Sequence, residues 1–287
     1  MIEHVAATFK ILVGVVAYRL RKLEMANLAA AASIALALHL PLLEVVWRTA
    51  FAFVLNVLVY LNNDYVDVGM DLNSTGKDAE KTRFLADHLG AAIGAQLVLV
   101  AICVAAAFAV DIGLLLPLIT GGGICWWYSA KLKRTPFMDV PAMMIWGLAM
   151  PLCGLPWWSL LGWCMAIQLG LFSGVFESIQ VMRDADEDAL EGVRTTGVVL
   201  GKARTLVLAR GLMIVCSVYG ALVLHPVAGA LSAVALIIPF SEQHIARYWT
   251  QVKLAYGVTW LFVCAWVFLK SQGSGVIYTI DIARRVF

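Results

Sequence analysis

The chain has 287 residues, of which 62% are hydrophobic and only 14% charged, with a mean hydropathy of +0.85. Soluble domains carry about 25% charged residues, so this composition excludes a soluble globular protein and implies a polytopic membrane protein. A formal net charge of +2 provides no attraction for polyanions, which excludes nucleic-acid binding as well.

Residues 1–24 contain a short apolar run, 11–17, followed by Arg19, Arg21 and Lys22. A secretory signal has the opposite order, with charge before the apolar stretch. The pattern here predicts an interfacial amphipathic helix over 1–24 that leads into the first span. Residues 25–287 read as one membrane domain. Runs of spanning length recur at about 25–43, 45–62, 89–110, 112–130, 138–156, 159–182, 204–224, 226–241 and 252–270. They predict an all-α integral membrane bundle of about nine transmembrane helices. Gly121, Gly122 and Gly123 interrupt the fourth run, and the eighth is short and contains Pro239. The six cysteines lie in or beside these runs without CxxC spacing, the pattern of small apolar fillers rather than of disulfides or metal ligands.

Positive charge sorts the loops. Lys10, Arg19, Arg21 and Lys22, then Lys77, Lys81 and Arg83, then Lys131, Lys133 and Arg134, then Arg183, Arg194, Lys202 and Arg204, then Arg247 and Lys253 all fall on the side of the N-terminus. The opposite side receives Arg48, Lys270, Arg284 and Arg285, and Arg210 sits within a span. This asymmetry places the N-terminus in the cytoplasm.

Two acidic clusters break the apolar pattern. Asn63, Asp64, Asp67 and Asp71 close the second run, and Arg183, Asp184, Asp186, Glu187 and Asp188 close the sixth. Both runs end on the same, cytoplasmic, face, which also carries the basic loop 131–134. On a helix, Asp64, Asp67 and Asp71 stand at i, i+3 and i+7 and project from one side. Asp184 and Asp188, at i and i+4, do the same, whereas Asp186 falls about 200° from Asp184 and points away.

Carboxylates crowded this closely need a cation among them. Mg²⁺ takes oxygen ligands and is usually held by one or two carboxylates plus substrate phosphate. Asp64, Asp67, Asp71, Asp184 and Asp188 are therefore candidate ligands for Mg²⁺ bridged by a diphosphate, with Arg83, Lys131, Lys133, Arg134 and Arg194 completing its neutralisation. Charge developing on a leaving diphosphate would be stabilised there, so an allylic diphosphate would ionise with its hydrocarbon tail among the membrane helices. A lone acidic helix end frequently serves only as a cap; two of matched parity argue for a site. Lys77, Asp78, Glu80 and Lys81 read as an ordinary solvated loop.

At this point the residues resemble a known family. Asn63-Asp64-x-x-Asp67-x-x-x-Asp71 resembles the first aspartate motif of the UbiA superfamily of intramembrane prenyltransferases. Arg183-Asp184-x-x-x-Asp188, followed by Gly192-Val193-Arg194-Thr195, is similar to the second, and Tyr128-Ser129-Ala130-Lys131 to the YxxK element between them. The resemblance covers essentially the whole chain. It implies a helical bundle with a lateral opening to lipid, a cytoplasmic cap over the active site and Mg²⁺-dependent transfer of an isoprenyl group. It also implies catalytic roles for Asp64, Asp67, Asp184, Asp188 and Lys131, and substrate contacts from Asn63, Asp71, Arg83, Tyr128, Lys133, Arg134, Gln180, Arg183 and Arg194. The chain departs from the family pattern where many members have Arg-Pro after the first motif, reading Lys81-Thr82-Arg83-Phe84, and where many have Asn before the second, reading Gln180.

The acceptor side is less marked. Arg21, Glu24 and Asn27 open the first span within reach of a polar acceptor, and equally suit a snorkelling interfacial belt. Trp126, Trp127, Tyr128, Trp146, Trp157 and Trp158 suit either a tunnel lining, where their π faces would stabilise a cation, or an aromatic belt. The expected function is prenyl transfer to a small aromatic acceptor. A terpene cyclase on the same fold is the alternative; a transporter is disfavoured because no span shows paired mid-membrane charges.

Overall fold

The computed structural model describes residues 2–21, 25–72 and 78–271, and among these no strand occurs. Apart from short 3-10 turns, eleven helices follow one another among the described residues: α1 Ile2–Arg21, α2 Ala26–Ala37, α3 Leu42–Asp71, α4 Ala79–Asp87, α5 Leu89–Val110, α6 Ile112–Ala130, α7 Asp139–Leu152, α8 Leu160–Leu190, α9 Thr196–Leu224, α10 Pro226–Ile237 and α11 Ile245–Ser271. Six of them, α3, α5, α6, α8, α9 and α11, are long and apolar enough to cross a membrane, and α2, α7 and α10 are shorter apolar helices. Among the described residues, an apolar helix thus occupies each of the nine predicted runs, but only six reach spanning length.

The shortfalls have local causes. The first run, expected over 25–43, is helical only to Ala37, because Pro41 disfavours helix in the residues before it and His39 turns the chain at φ 56°. The eighth, expected over 226–241, stops at Ile237, and Ile238 is extended ahead of Pro239. The glycines of the fourth run do not break it; Leu118–Gly122 forms a π-helical stretch inside α6.

Two helices set the architecture. α3 has 30 residues and α8 has 31, so each is about 45 Å long, against roughly 30 Å of hydrocarbon. Each therefore overruns its apolar part, and the overrun carries an acidic motif. Gly192 ends α8 one turn beyond Asp188. With φ 73° it allows the Val193 N–H to bond the Asp188 carbonyl at 2.8 Å and its own N–H to bond the Ala189 carbonyl at 3.2 Å, a Schellman cap that requires left-handed backbone. Just downstream, a Cβ on Gly197 would lie 2.0 Å from the Val181 carbonyl oxygen, so only glycine lets α9 start this close to α8.

Helix α8 packs against α7, α9 and α11, α3 packs against α2, α5 and α6, and α2 also meets α11, which closes the bundle. Helix α1 lays Ala7, Ile11, Val15 and Arg19 on the bundle, at a spacing of four, and leaves Val5, Phe9 and Val13 exposed. At the end opposite the acidic motifs, Arg48 is 3% exposed and holds α3 to the α5–α6 junction. Its guanidinium donates to Asp111 Oδ2 at 2.5 Å, to the Leu155 carbonyl at 3.1 Å and to Glu44 at 3.4 Å. Removing one partner of a buried pair costs about 3–5 kcal/mol. Arg48→Met is accordingly expected to lower the melting temperature in detergent clearly while the surviving protein keeps wild-type turnover; an unchanged melt would refute the clamp.

Candidate active site

Helix α3 brings the first motif to the bundle end as one continuous helix, so Asp64, Asp67 and Asp71 hold the single-sided arrangement expected of them. Asp64 is 3% exposed and lies between two cations. Arg19 of α1 donates to its Oδ1 at 2.5 Å, and Lys81 of α4 donates to its Oδ2 at 2.6 Å. Both cations also rest on aromatic faces: Arg19 is 4.4 Å from the Tyr60 ring centre, and Lys81 is 4.3 Å from that of Tyr18. Cations stacked on rings in a desolvated site gain attraction from the ring quadrupole.

Lys81 corrects the reading of 77–81 as a solvated loop. Asp78 caps α4 by accepting from the Lys81 N–H at 3.2 Å, which sets the rotation of the helix. Lys81 then faces Asp64 and Arg83, about 200° further round, is exposed. Residue 77 lies outside the described residues, as do Lys22 and Glu24.

Asp67 is 2% exposed and takes its cation from the other side. Lys133 donates to Oδ2 at 3.0 Å, while Oδ1 makes no hydrogen bond and has Arg134 3.9 Å away. Lys133 also lies within electrostatic reach of Glu177 and Asp188 on α8, so it stands where the two motifs meet. Lys131, the expected catalytic lysine, is exposed at the helix end, and the 3-10 turn 132–134 carries Lys133 inward instead. Ser129 donates to Asn63 Oδ1 at 3.2 Å, and the neighbouring Tyr128 hydroxyl donates to Glu177 Oε1 at 2.9 Å. The end of α6 is therefore hydrogen-bonded to both motif helices.

On α8, Glu177, Gln180, Asp184 and Asp188 lie at i, i+3, i+7 and i+11, one face of a helix. Glu177 is 5% exposed, deeper toward the apolar part than the aspartates. Asp184 pairs with Arg183 through both oxygens, at 2.6 and 2.9 Å. Asp188 accepts from the Thr195 hydroxyl at 3.0 Å. Asp186 faces away; its side chain is 81% exposed and takes Lys202 at 2.5 Å. Asp186→Ala is therefore expected to change turnover by less than about twofold, in keeping with small effects of exposed pairs, and a loss comparable to that from Asp184→Ala would overturn the facing assigned here.

Asp139, fully buried at the start of α7, fastens the loops that frame this face. It accepts from the Thr196 N–H at 2.7 Å, from the Thr196 hydroxyl and from the Val140 N–H at 2.8 Å. The segment that presents Lys133 is thus tied to the segment that follows Asp188.

The remaining candidates are less central. Arg21 is exposed and bonds the Ala17 carbonyl of its own helix at 3.3 Å, Asn27 is half-buried at the start of α2, Arg194 is exposed, Gln180 is half-buried, and Asp71 is part-exposed at the end of α3. Trp126, Trp127, Trp157 and Trp158 are each more than half exposed, and Trp146 is buried.

The donor chemistry suits a hard divalent cation: buried or half-buried carboxylates, including an Asp67 oxygen with no hydrogen bond. Among the described residues no three acidic, histidine or cysteine side chains converge on one metal position. Asp64 is paired with Arg19 and Lys81, Asp67 with Lys133, and Asp184 with Arg183, so the five expected ligands do not form a preassembled cage. That agrees with an ion that completes its shell from substrate phosphate.

The sequence profile of the UbiA prenyltransferase family matches residues 25–273. The chain belongs to the UbiA prenyltransferase family. Solved structures agree on the fold. A digeranylgeranylglyceryl phosphate synthase shares 14% identity at a TM-score of 0.68, covering 91% of this chain and 99% of that one. A UbiA homologue from Archaeoglobus fulgidus, bound to DMAPP and Mg²⁺, shares 15% identity at a TM-score of 0.58, covering 91% of each chain. The same homologue bound to GPP and Mg²⁺ gives 14% and 0.58, covering 96% and 93%. Comparison with curated proteins finds no match. The UbiA profile starts at residue 25, so Arg19, which pairs with Asp64, comes from outside the matched region.

Proposed function

We propose that this UbiA-family protein is a multi-pass membrane prenyltransferase that ionises an allylic prenyl diphosphate at the cytoplasmic face and transfers the prenyl group to a small aromatic acceptor. The observation that carries this reading is Lys133. It binds the first motif at Asp67 within electrostatic reach of Glu177 and Asp188, so one cation is shared by the two acidic helix ends.

In this proposal Asp64, Asp67, Asp71, Asp184 and Asp188 hold Mg²⁺, as the family resemblance implies and as the Mg²⁺-bound relatives support. Mg²⁺ would neutralise the diphosphate and favour its departure. Lys133 and Arg134, and Arg19 and Lys81 once released from Asp64, supply the remaining positive charge. The C1–O bond breaks and its electron pair leaves with the diphosphate. A ring carbon of the acceptor then forms the C–C bond to C1 with its π electrons, and the ring proton leaves to a base. Glu177 is our candidate for that base: a buried carboxylate on the motif face of α8, oriented by Tyr128, on the apolar side of the aspartates. The nine apolar helices would all lie in the bilayer with the N-terminus cytoplasmic, α1 at the interface, and α4 and the 131–139 segment capping the site.

The outward-facing tryptophans favour transfer over cyclisation, because an internal cation chamber would need their π faces inside. Incubation of purified protein with Mg²⁺ and allylic diphosphates of graded length, with and without aromatic acceptors, followed by mass spectrometry, decides between them. Diphosphate release only with acceptor, yielding a prenylated ring, is expected. A cyclic hydrocarbon formed without acceptor would replace this reading by the cyclase.

A further inference from the structure

A groove of about 630 Å³ lies between α3, α5 and α6, on the side of α3 away from the acidic motif. Asn62, which opens into it, stands about 200° around the helix from Asp64. Its walls include Leu58, Leu97, Val100, Ile119 and Trp126. Leu97, Ile119 and Trp126 are each more than 60% exposed on helices of spanning length, so the groove opens toward lipid rather than toward the catalytic end.

One polar feature is out of place there. Asn62 is 7% exposed, and its side-chain Nδ2 is buried without a hydrogen-bond partner. A hydrocarbon chain would leave that donor unpaired, which is costly in an apolar environment. The groove therefore calls for an occupant with an apolar body and an uncharged oxygen acceptor at the depth of Asn62. That depth is defined: Asn62 stands between Leu61, the last apolar residue of the run, and Asn63, the first of the polar motif, with Tyr65 and Trp126 alongside, as at a hydrocarbon–headgroup boundary. In a bilayer the uncharged acceptors at this level are the ester carbonyls of glycerophospholipids.

We infer that this groove is a binding site for one ester-linked membrane phospholipid, with an acyl chain lying along α5 and α6 and an ester carbonyl accepting from Asn62 Nδ2. The wall of the site includes Leu118, Ile119 and Gly122 of the π-helical stretch, a geometry that recurs at functional positions. The same helix carries Tyr128 and Ser129 to the catalytic end, so the lipid supports the segment that hydrogen-bonds both motif helices. The site stands apart from the prenyl-transfer reading and is tested without diphosphate or Mg²⁺.

The experiment uses the full chain, delipidated and then exposed to ester-linked or ether-linked phosphatidylcholine of equal chain length, with bound lipid counted by native mass spectrometry. Wild type is expected to hold one lipid and to prefer the ester form by about fivefold, the value of one hydrogen bond. Asn62→Leu should erase that preference. Gly123→Phe should remove the bound lipid, because a Cβ at Gly123 meets nothing within 4 Å and the ring enters the groove without collision. No retained lipid in wild type, equal retention of ester and ether forms, or undiminished binding in Gly123→Phe would each overturn the assignment. A wild-type dimer that Gly123→Phe dissociates would overturn it too, with a second copy as the true occupant.

Discussion

Asp64→Asn is expected to reduce prenyl-diphosphate turnover by about 10²- to 10³-fold, on the scale of losing a principal electrostatic stabiliser, and to lower thermal stability at the same time. The two effects come from different partners. Turnover falls because the variant loses a carboxylate that the proposal assigns to the metal. Stability falls because Arg19 and Lys81 both rest on Asp64, at 2.5 and 2.6 Å, in a site only 3% exposed. Removing one member of such a set leaves buried positive charge, at a cost of about 3–5 kcal/mol for complete loss of the partner. Asparagine keeps an acceptor for Arg19 and should fall below that range; alanine should approach it. Adding Arg19→Met to Asp64→Asn should restore much of the stability and none of the turnover. Measuring melting temperature and turnover on the single and double variants checks both halves, and recovery of activity in the double variant would show that Asp64 serves only to anchor α1.

Glu177→Gln is the second large effect. The change is isosteric and keeps an oxygen to accept from the Tyr128 hydroxyl, so the 2.9 Å contact and the fold should survive. What disappears is the proton-accepting carboxylate. Loss of a general base slows turnover by about 10²- to 10⁴-fold, while diphosphate binding should hold within about twofold because Glu177 is not among the proposed metal ligands. Single-turnover kinetics with acceptor present separates the two. Wild-type turnover in Glu177→Gln would remove Glu177 from the mechanism, and a parallel loss of diphosphate binding would move it to the metal shell.

Much of the fold could be read in advance because hydropathy and local helix signals carry it. No proline interrupts the passage from either apolar run into its acidic motif, so continuity of α3 through Asp71 and of α8 through Asp188 followed from the residues themselves. Asp186 was separable from Asp184 by helical rotation alone. The choice among cations was not legible. Whether Lys81 or Arg83 faces the site depends on the rotation of α4, which Asp78 sets through its cap. Similarly, whether Lys131 or Lys133 turns inward depends on a 3-10 turn. Arg19 resembled a flanking interfacial charge because its partner is 45 residues away. Asp139 was invisible for the same reason, its partner Thr196 lying 57 residues on. Glu177 did leave a signal: it precedes Asp184 by seven and Asp188 by eleven, on the same helical face, but it sits inside a run whose hydropathy marks it as membrane span.

The most direct test of the central claim, that both acidic helix ends hold one metal–diphosphate complex, is a Mn²⁺ titration followed by electron paramagnetic resonance, with and without an unreactive thiolo analogue of an allylic diphosphate. The account predicts that wild type immobilises Mn²⁺ when the analogue is present, and that Asp67→Asn and Asp184→Asn each abolish this although they lie on different helices. Mn²⁺ binding that ignores the analogue, or that survives in either variant, would contradict it.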